Sequence, residues 1–378
     1  MQTLQFQPPN ITIAASGTPL LTAGNLSYLG AYKLPVESGW TYGYERRIHF
    51  ADGKIFVTGT DVNLTLAELT PPATLGSGAY SGLPAATTVQ PLAGLHGRIA
   101  NWSTSGLDRI GGLCKLTDGR LCVSYYEMYD ANSGATNSHV LLDGTLAAGT
   151  VTPLRTLTGA PHAGYVGGHM QRVPAEHQAK LGAAYLTGQG SISILARTSY
   201  GFSLFGFNPA ALASGNTPAS PLLYYNEVHP LGPYDGQSSA WNSTCKFAGF
   251  AVVRGYRTVL FFGRLGTGPT FYGVPQSTDP TAPNYDPAVA GNGFHAYPYR
   301  YQVWAYDLND LEAVRLGIKQ PWEPMPYATW ELTIPTPWPA RWIGGVGYDE
   351  ATNRITVCQQ DDGGDNGGWP IFHVFQVN

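Results

Sequence analysis

Residues 110–124 read IGGLCKLTDGRLCVS, and the prediction of the fold starts from this pattern. A short apolar strand containing Gly-Gly is followed by the turn formers Asp118 and Gly119, and then by a second apolar strand. Two such strands around an Asp-Gly turn are typical of a β-hairpin. Glycine in a strand is used where another backbone comes close, so the first strand is expected to lie in crowded surroundings.

Four further segments repeat this pattern, at residues 47–59, 166–188, 247–263 and 343–358. An extended apolar run precedes each of the five copies, at residues 27–34, 87–92, 152–157, 221–225 and 328–334. Repetition of a small β unit at intervals of roughly 55 to 95 residues is typical of a β-propeller with one blade per copy.

The repeat predicts an all-β fold, a single five-bladed β-propeller of four-stranded blades spanning residues 25–378. The fifth copy has no outer strand of its own, because the sequence ends at Asn378. We expect residues 27–34 to close the ring by pairing with that blade, which removes the exposed edges. Residues 1–24 are predicted to form an N-terminal arm for docking or anchoring. An open β-sandwich or two smaller β domains are the alternatives.

Composition narrows the function classes. Charged residues make up 12% of the chain, against a usual quarter, while glycine (47) and tyrosine (23) are abundant. This composition favours an extracellular or virion protein. The net charge of −4 and the absence of a basic run argue against nucleic-acid binding. We expect no membrane insertion, because no run of about 18 apolar residues occurs. The first residues lack the features of a signal peptide, which favours a phage protein released by lysis.

Cys114 and Cys122 flank the turn of the hairpin at residues 110–124. A two-residue turn would place them on opposite faces, whereas a three-residue Thr-Asp-Gly turn would place them opposite each other, where they can form a disulfide. Buried free thiols are the favoured interpretation, because free cysteine is among the most buried residue types.

A propeller brings distant residues together at one end. The loop that enters each inner strand and the loop that joins the second and third strands of a blade share that end, here called the loop end. Arginine, with its planar fork, and aromatic rings in these loops favour a carbohydrate ligand. The predicted ligand-binding residues are Arg46, Arg109, Arg341, Trp342, Tyr272, Tyr165 and His162. The same loops supply Lys246, Arg264, Asp108, Glu127 and Asp130. Alternatively, these acids and arginines simply pair with one another.

Cofactor and catalytic assignments are weaker. Asp361, Asp362 and Asp365 form an acidic, glycine-rich loop that suits calcium chemically, but it lacks EF-hand spacing. A solvated glycine turn is favoured there, so no cofactor is expected and calcium remains the alternative. Asp108 with Glu127 or Asp361 can be drawn as a glycosidase pair, and Arg109, His162 and Tyr165 as lyase groups. No catalytic residue is assigned.

Several segments carry a family resemblance, namely GRLGTGP at 263–269, HAYPYRYQVWAYDLNDLEAV at 295–314, PWEPMPY at 321–327, FHVFQV at 372–377 and LSYLGAYKLP at 26–35. The chain resembles a family of uncharacterised propeller-like proteins from bacteria and phages. The resemblance covers nearly the whole chain after residue 25. It implies the fold and a phage or bacterial context, and it transfers no functional site.

Together these features predict a phage virion surface protein, a tail- or capsid-associated homo-oligomer. The N-terminal arm would bind other virion proteins, and the loop end would bind a host-surface glycan as receptor. One alternative is a secreted or virion-borne polysaccharide lyase or glycoside hydrolase that acts on acidic polysaccharide; its location would be extracellular or on the virion. Another is a non-enzymatic scaffold propeller that binds proteins.

Overall fold

The computed structural model describes residues 17–35, 40, 46–59, 63–190, 192–289, 291–335, 337, 339–360 and 369–378. Five antiparallel sheets follow one another along the chain and form the blades of a β-propeller, as the repeat predicts. Within those ranges, no helix has the length and apolar character needed to cross a bilayer.

Each blade is numbered in chain order, and its strands are given from the axis outward. Blade 1 contains β2 (Ile48–Ala51), β3 (Lys54–Thr58), β4 (Thr65–Thr70) and β5 (Thr87–Gly94). Blade 2 contains β6 (Arg109–Lys115), β7 (Leu121–Tyr126), β8 (His139–Asp143) and β9 (Thr150–Val151). Blade 3 contains β11 (Met170–Arg172), β12 (Tyr185–Thr187), β13 (Leu204–Phe207), β14 (Thr217–Leu223) and, at its outer edge, β10 (Leu157–Thr158). Blade 4 contains β15 (Lys246–Val252), β16 (Thr258–Gly266), β17 (Tyr299–Asp307) and β18 (Ala328–Glu331). Blade 5 contains β19 (Ile343–Asp349), β20 (Arg354–Gln359), β21 (Ile371–Val377) and β1 (Leu26–Lys33).

The ring is closed by the strand that the sequence leaves spare. β1 pairs antiparallel with β21, from Leu26 opposite Val377 to Lys33 opposite Ile371. The outermost strand of blade 5 therefore comes from the start of the fold, and its other three strands come from the end. This closure confirms the prediction for residues 27–34, and it joins the two ends of the propeller through main-chain hydrogen bonds.

The apolar core lies between neighbouring blades. Each large cluster of buried side chains combines residues from two adjacent blades. Between blades 3 and 4, the ring of Phe202 stacks on Phe261 at 4.7 Å and meets Trp304 at 4.8 Å. Aromatic pairs at such distances stabilise a core beyond the area that they bury.

Helices occupy a small part of the chain. The α-helices are α1 (Ala175–Leu181), α2 (Ser193–Ala196) and α3 (Leu308–Arg315), and short 3-10 turns occur at Ala23–Asn25, Tyr80–Gly82, His96–Arg98, Trp102–Thr104, Ala163–Tyr165 and Pro209–Ala213. Asn208 caps the last of these turns, because its side chain accepts the main-chain N–H of Ala210. Asp307 caps α3, because its carboxylate accepts the main-chain N–H of Asn309.

Blade 3 departs from the simple four-stranded repeat. Blade 3 has a fifth strand, because β10 runs parallel to β14 at its edge instead of forming the outer strand of blade 2.

In blade 2, Cys114 lies directly opposite Cys122, the register expected for the Thr-Asp-Gly turn. Both thiols are nevertheless free and buried.

The described part of the N-terminal segment packs on its own propeller. Leu21 is fully buried, and its N–H donates to Thr258 Oγ1 at 3.0 Å. Its carbonyl accepts the Tyr327 hydroxyl at 2.6 Å. Residues 1–16 of the predicted arm lie outside the described residues, and its anchoring role stays a prediction.

Candidate functional site

At the loop end, the inner strands come into main-chain contact around the axis. A Cβ on Gly111 would lie 1.7 Å from the carbonyl oxygen of Gly167, and one on Gly345 would lie 1.5 Å from that of Arg46. No side chain fits at such distances, so glycine is required at both positions. The glycine pairs of the repeat therefore bring blade 2 against blade 3 and blade 5 against blade 1.

Two consecutive arginines of blade 1 lie in this closed part of the axis. Arg46 is fully buried, and its guanidinium donates to the carbonyls of Trp40 at 2.5 Å and Thr58 at 3.4 Å. Arg47 Nη1 donates to His169 Nε2 at 2.7 Å across the axis. Burial, and then the charge of Arg47, lowers the pKa of His169, so this imidazole is a neutral acceptor. These contacts hold both guanidinium groups within the protein.

A second group of cations lies where blades 4 and 5 meet. The Arg264 guanidinium carbon lies 3.2 Å from the ring centroid of Trp342 and 4.1 Å from that of Tyr299. The Lys246 ammonium lies 4.3 Å from the centroid of the same indole. Lys246 and Arg264 are cross-strand partners in the β15–β16 hairpin, so the sheet register places two cations beside one aromatic ring.

Arg264 is a buried cation that forms no ion pair within the part of the chain that the structure describes. It is 2% exposed, its Nε has no hydrogen-bond partner among these residues, and Nη1 makes a long bond of 3.4 Å to the Ala340 carbonyl. Asp286 is a nearby buried carboxylate, but its Oδ2 accepts the Tyr299 hydroxyl at 2.6 Å and forms no ion pair with Arg264. Burial lowers the pKa of Arg264 to about 10, which still leaves the group charged at neutral pH.

Arg341 lies beside this group, and Tyr272 lies on the long loop of blade 4. Arg341 has a positive φ of 53°, and its guanidinium carbon lies 5.4 Å from the ring centroid of Tyr301. Tyr272 lies on the long loop after β16, stacks on Phe294 at 4.2 Å and is 51% exposed. Tyr272 is thus the predicted aromatic residue whose ring keeps a large accessible surface.

Blade 2 supplies an acidic sector at the loop end. Arg109 forms an ion pair with Asp108 at 3.0 Å, and the other Asp108 oxygen accepts the N–H of Met128. The pKa of Glu127 is raised by burial, and then by the charges of Asp130 and Asp108. A carboxyl group whose pKa is raised beside other carboxylates is a candidate general acid.

His162 and Tyr165 lie on the loop that enters blade 3. His162 Nε2 lies 3.1 Å from Asp130 Oδ2 but is not aligned for a hydrogen bond, while its Nδ1 accepts the N–H of Gly164. Tyr165 is buried against Tyr224, and burial raises its pKa to about 12. Both residues therefore contact the protein itself, and their ligand contact stays a prediction.

The structure thus divides the predicted residues into groups. Arg341 and Trp342 lie with Lys246 and Arg264 in what we call the cationic sector, defined by Lys246, Arg264, Trp342 and Arg341. Arg109 and His162 lie beside the acids of blade 2, and Arg46 is enclosed in blade 1. Sequence reasoning missed Tyr299, which follows the long loop and covers Arg264; a tyrosine at the start of a strand gives no distinctive signal.

The described residues contain no group of three or more His, Cys, Asp or Glu side chains that could hold a metal ion. The predicted weak metal candidates Asp361, Asp362 and Asp365 lie outside the described residues.

No family model and no curated protein sequence matches the chain. Similar solved structures include a glycoside hydrolase, the family 43 YxiA protein from Bacillus licheniformis (11% identity, TM-score 0.43, 90% of this chain and 72% of that chain). An endo-1,5-alpha-L-arabinanase from Thermotoga petrophila RKU-1 is also similar (10% identity, TM-score 0.41, 90% of this chain and 74% of that chain), as is a luciferin-regenerating enzyme (9% identity, TM-score 0.38, 88% of this chain and 77% of that chain). Some structures similar to this chain are thus carbohydrate-active enzymes, but likeness at these values carries no argument about its activity.

Proposed function

We propose that the loop end binds an acidic glycan through the cationic sector and acts as a binding protein. The observation that carries this proposal is the charge of Arg264, which is buried between two aromatic rings and has no ion-pair partner among the described residues. A buried charge is costly unless it is compensated, and in surroundings of low dielectric constant it acts over a longer distance. A bound carboxylate or sulfate would supply the missing counter-charge.

Residues around Arg264 provide the contact surface. Lys246 and Trp342 are partly exposed, whereas Arg264 lies behind them. An anionic group would therefore contact Lys246 directly, and Arg264 would attract it from within the protein. Tyr272, on the same blade, offers an accessible ring for the apolar face of a sugar.

Binding measurements test the proposal. We expect polygalacturonate or hyaluronate to bind the wild-type protein with an affinity that falls as salt is added, because the attraction is electrostatic. Lys246→Gln should weaken binding about tenfold, the loss of one charge-assisted contact. Arg264→Met should weaken it as well, while leaving the melting temperature unchanged or higher, because replacing a buried charge with an apolar side chain is often neutral or stabilising.

Arg354→Met is the matched control, since Arg354 is an exposed arginine at the other end of blade 5, away from the cationic sector. It should leave glycan binding unchanged. Folded Lys246→Gln and Arg264→Met variants that bind these polymers like the wild-type protein would exclude the cationic sector as the site.

Hydrolysis of glycosidic bonds is the second candidate function, and the raised pKa of Glu127 is the observation that favours it. Its raised pKa, between the carboxylates of Asp108 and Asp130, suits a general acid. An enzyme would generate new reducing ends from acidic polysaccharides, and Glu127→Gln would abolish this activity without affecting the fold. A wild-type protein that binds such polymers and releases no new ends would exclude hydrolysis.

The location on a phage particle remains a prediction, and no contact among the described residues bears on it. Mass spectrometry of purified particles would detect the protein if it is a virion component. Deletion of residues 1–16 should then prevent its incorporation if the N-terminal arm forms the anchor, and this deletion leaves the buried Leu21 in place. The scaffold alternative instead predicts assembly that is independent of glycan and unaffected by Arg109→Ala and Arg341→Ala.

A further inference from the structure

A cavity of about 540 Å³ lies on the propeller axis at the end opposite the cationic sector. This hairpin end carries the turns that join each inner strand to the second strand of its blade. Every blade contributes to the cavity wall, through His49, Lys115, Gln171, Arg254 and Tyr348 in blade order. Its volume corresponds to roughly eighteen water molecules at about 30 Å³ each, enough for one or two sugar rings.

The charged side chains at the cavity differ in whether they form ion pairs. Lys115 forms an ion pair with Asp52 at 2.9 Å, and Arg172 of blade 3 lies 3.6 Å from Glu350 of blade 5. Arg254 forms no ion pair with any described residue, although its main-chain N–H donates to the Tyr348 hydroxyl. Its guanidinium is therefore available to an anionic ligand.

The carboxylate of Asp349, which also lines the cavity, is already engaged. Its two oxygens accept the N–H of Ala351 and the hydroxyl of Thr352 at 3.1 and 2.6 Å. These bonds hold the hairpin turn of blade 5 and direct the carboxylate toward its own backbone. Arg254 forms no ion pair with Asp349, nor with Glu176, whose carboxylate accepts the N–H of Gly255 at 2.7 Å.

His49 provides a hydrogen-bonding group deeper in the cavity. It is the lining residue of β2 farthest from the hairpin turn, it is 7% exposed, and its Nε2 has no hydrogen-bond partner in the described ranges of the chain. Burial, and then the charges of Lys115 and Arg172, lowers the pKa of His49 to about 4, so the ring is neutral at pH 7. A neutral imidazole suits a hydroxyl group, to which it can donate or from which it can accept.

The neighbouring amide cannot satisfy this nitrogen. Gln171 Nε2 donates to the carbonyl of Val252, and its Oε1 accepts the N–H of the same residue, both at 2.8 Å. Gln171 is thereby fixed to β15 as a structural part of the wall. A buried polar atom without a partner is uncommon and usually indicates an unseen water, ion or ligand.

We propose that this cavity binds a sugar acid, with its carboxylate at Arg254 and a hydroxyl group at His49. The exposed cation at the rim and the neutral imidazole inside match a ligand that carries both an anionic group and hydroxyl groups. The proposal is independent of glycan binding at the loop end, because the two sites share no residue.

Calorimetric titration with glucuronate, glucose and inorganic phosphate tests the assignment. We expect glucuronate to bind the wild-type protein in the millimolar range, and glucose and phosphate to bind much more weakly. Arg254→Met should weaken glucuronate binding about tenfold, corresponding to the loss of one charge-assisted hydrogen bond. Arg354→Met, at an exposed arginine of blade 5 that belongs to neither proposed site, is the control and should leave it unchanged.

Nuclear magnetic resonance of the imidazole nitrogens provides a second measurement that needs no variant at a buried position. Glucuronate should shift the His49 ring signals and leave those of His139, which is buried within blade 2, in place. No glucuronate binding at about 20 mM, far above a millimolar Kd, would overturn the proposal. Equal binding of phosphate would overturn the sugar-acid assignment, and loss of binding in Lys246→Gln but not in Arg254→Met would move the ligand to the loop end.

Discussion

The two halves of the propeller axis are built from the same five strands but differ in packing. In the loop-end half, glycine residues let main chains touch, as at Gly111 and Gly345, and the arginine Arg47 bonds His169 across the axis. In the hairpin-end half, the same strands carry larger side chains such as His49 and Gln171 and enclose a cavity. The contrast indicates that Arg47, in the first half, supports the fold through its bond to His169, whereas His49 Nε2, in the second half, has no hydrogen-bond partner among the described residues.

The largest expected effect comes from adding a methyl group to the closed half. Gly111→Ala would place a Cβ 1.7 Å from the Gly167 carbonyl oxygen, and neither main chain can move away. We expect no folded protein or a loss of more than about 4 kcal/mol in the free energy of unfolding, measured by urea denaturation. Gly97→Ala is the control, because nothing lies within 4 Å of its Cβ position. A Gly111→Ala variant as stable as wild type would contradict the close approach of blades 2 and 3.

The same arginine substitution at the two ends should give different results. Arg47→Met removes the donor to His169 and leaves a buried imidazole nitrogen without a partner, so we expect a loss of about 2–4 kcal/mol. Arg254→Met removes an exposed side chain at the hairpin end and should change stability by less than about 0.5 kcal/mol. Equal losses in the two variants, measured by urea denaturation, would mean that the halves do not differ in this way.

Acid should destabilise the protein through its buried histidines. Burial lowers the pKa of His49 to about 4 and those of His139 and His373 to about 3. Because the unfolded chain takes up these protons near pH 6.5, stability is complete above that pH and falls as the pH drops toward 4. Each histidine contributes about 1.4 kcal/mol per pH unit in this range. His49→Gln should reduce the slope of the unfolding free energy against pH by about 1.4 kcal/mol per pH unit. An unchanged slope between pH 6 and 4.5 would show that His49 is not buried in neutral form.

The smallest effect is expected from the ion pair at the cavity rim. Asp52→Asn removes the partner of Lys115, but the Asp52 side chain is 75% exposed, so the loss should be below about 1 kcal/mol. If Lys115 then also becomes available to ligand, glucuronate affinity should rise slightly. A stability loss of several kcal/mol in thermal or urea unfolding would mean that this end is as tightly packed as the other.

Much of the fold followed from sequence pattern, and less of the site did. Hairpin repetition predicts the blades, and the spare strand at residues 27–34 predicts the closure, because strand pairing depends on local alternation and turn residues. The pattern did not predict that Arg264 would lie between Trp342 and Tyr299, since these residues are brought together from two blades and a long loop. The sequence pattern also indicated functional residues at the loop end alone and did not predict the cavity at the hairpin end.

The repeated hairpins and the glycine pairs of the inner strands can be recognised from the sequence alone, because they depend on neighbours a few residues apart. The sequence left open whether the turn between Cys114 and Cys122 has two or three residues, and the structure shows the three-residue Thr-Asp-Gly turn that places them opposite each other. Only the tertiary structure decided which polar side chains remain available. Arg47 and His169 satisfy each other, while Arg254 and His49 do not, because strand separation and side-chain direction around the axis depend on all five blades at once.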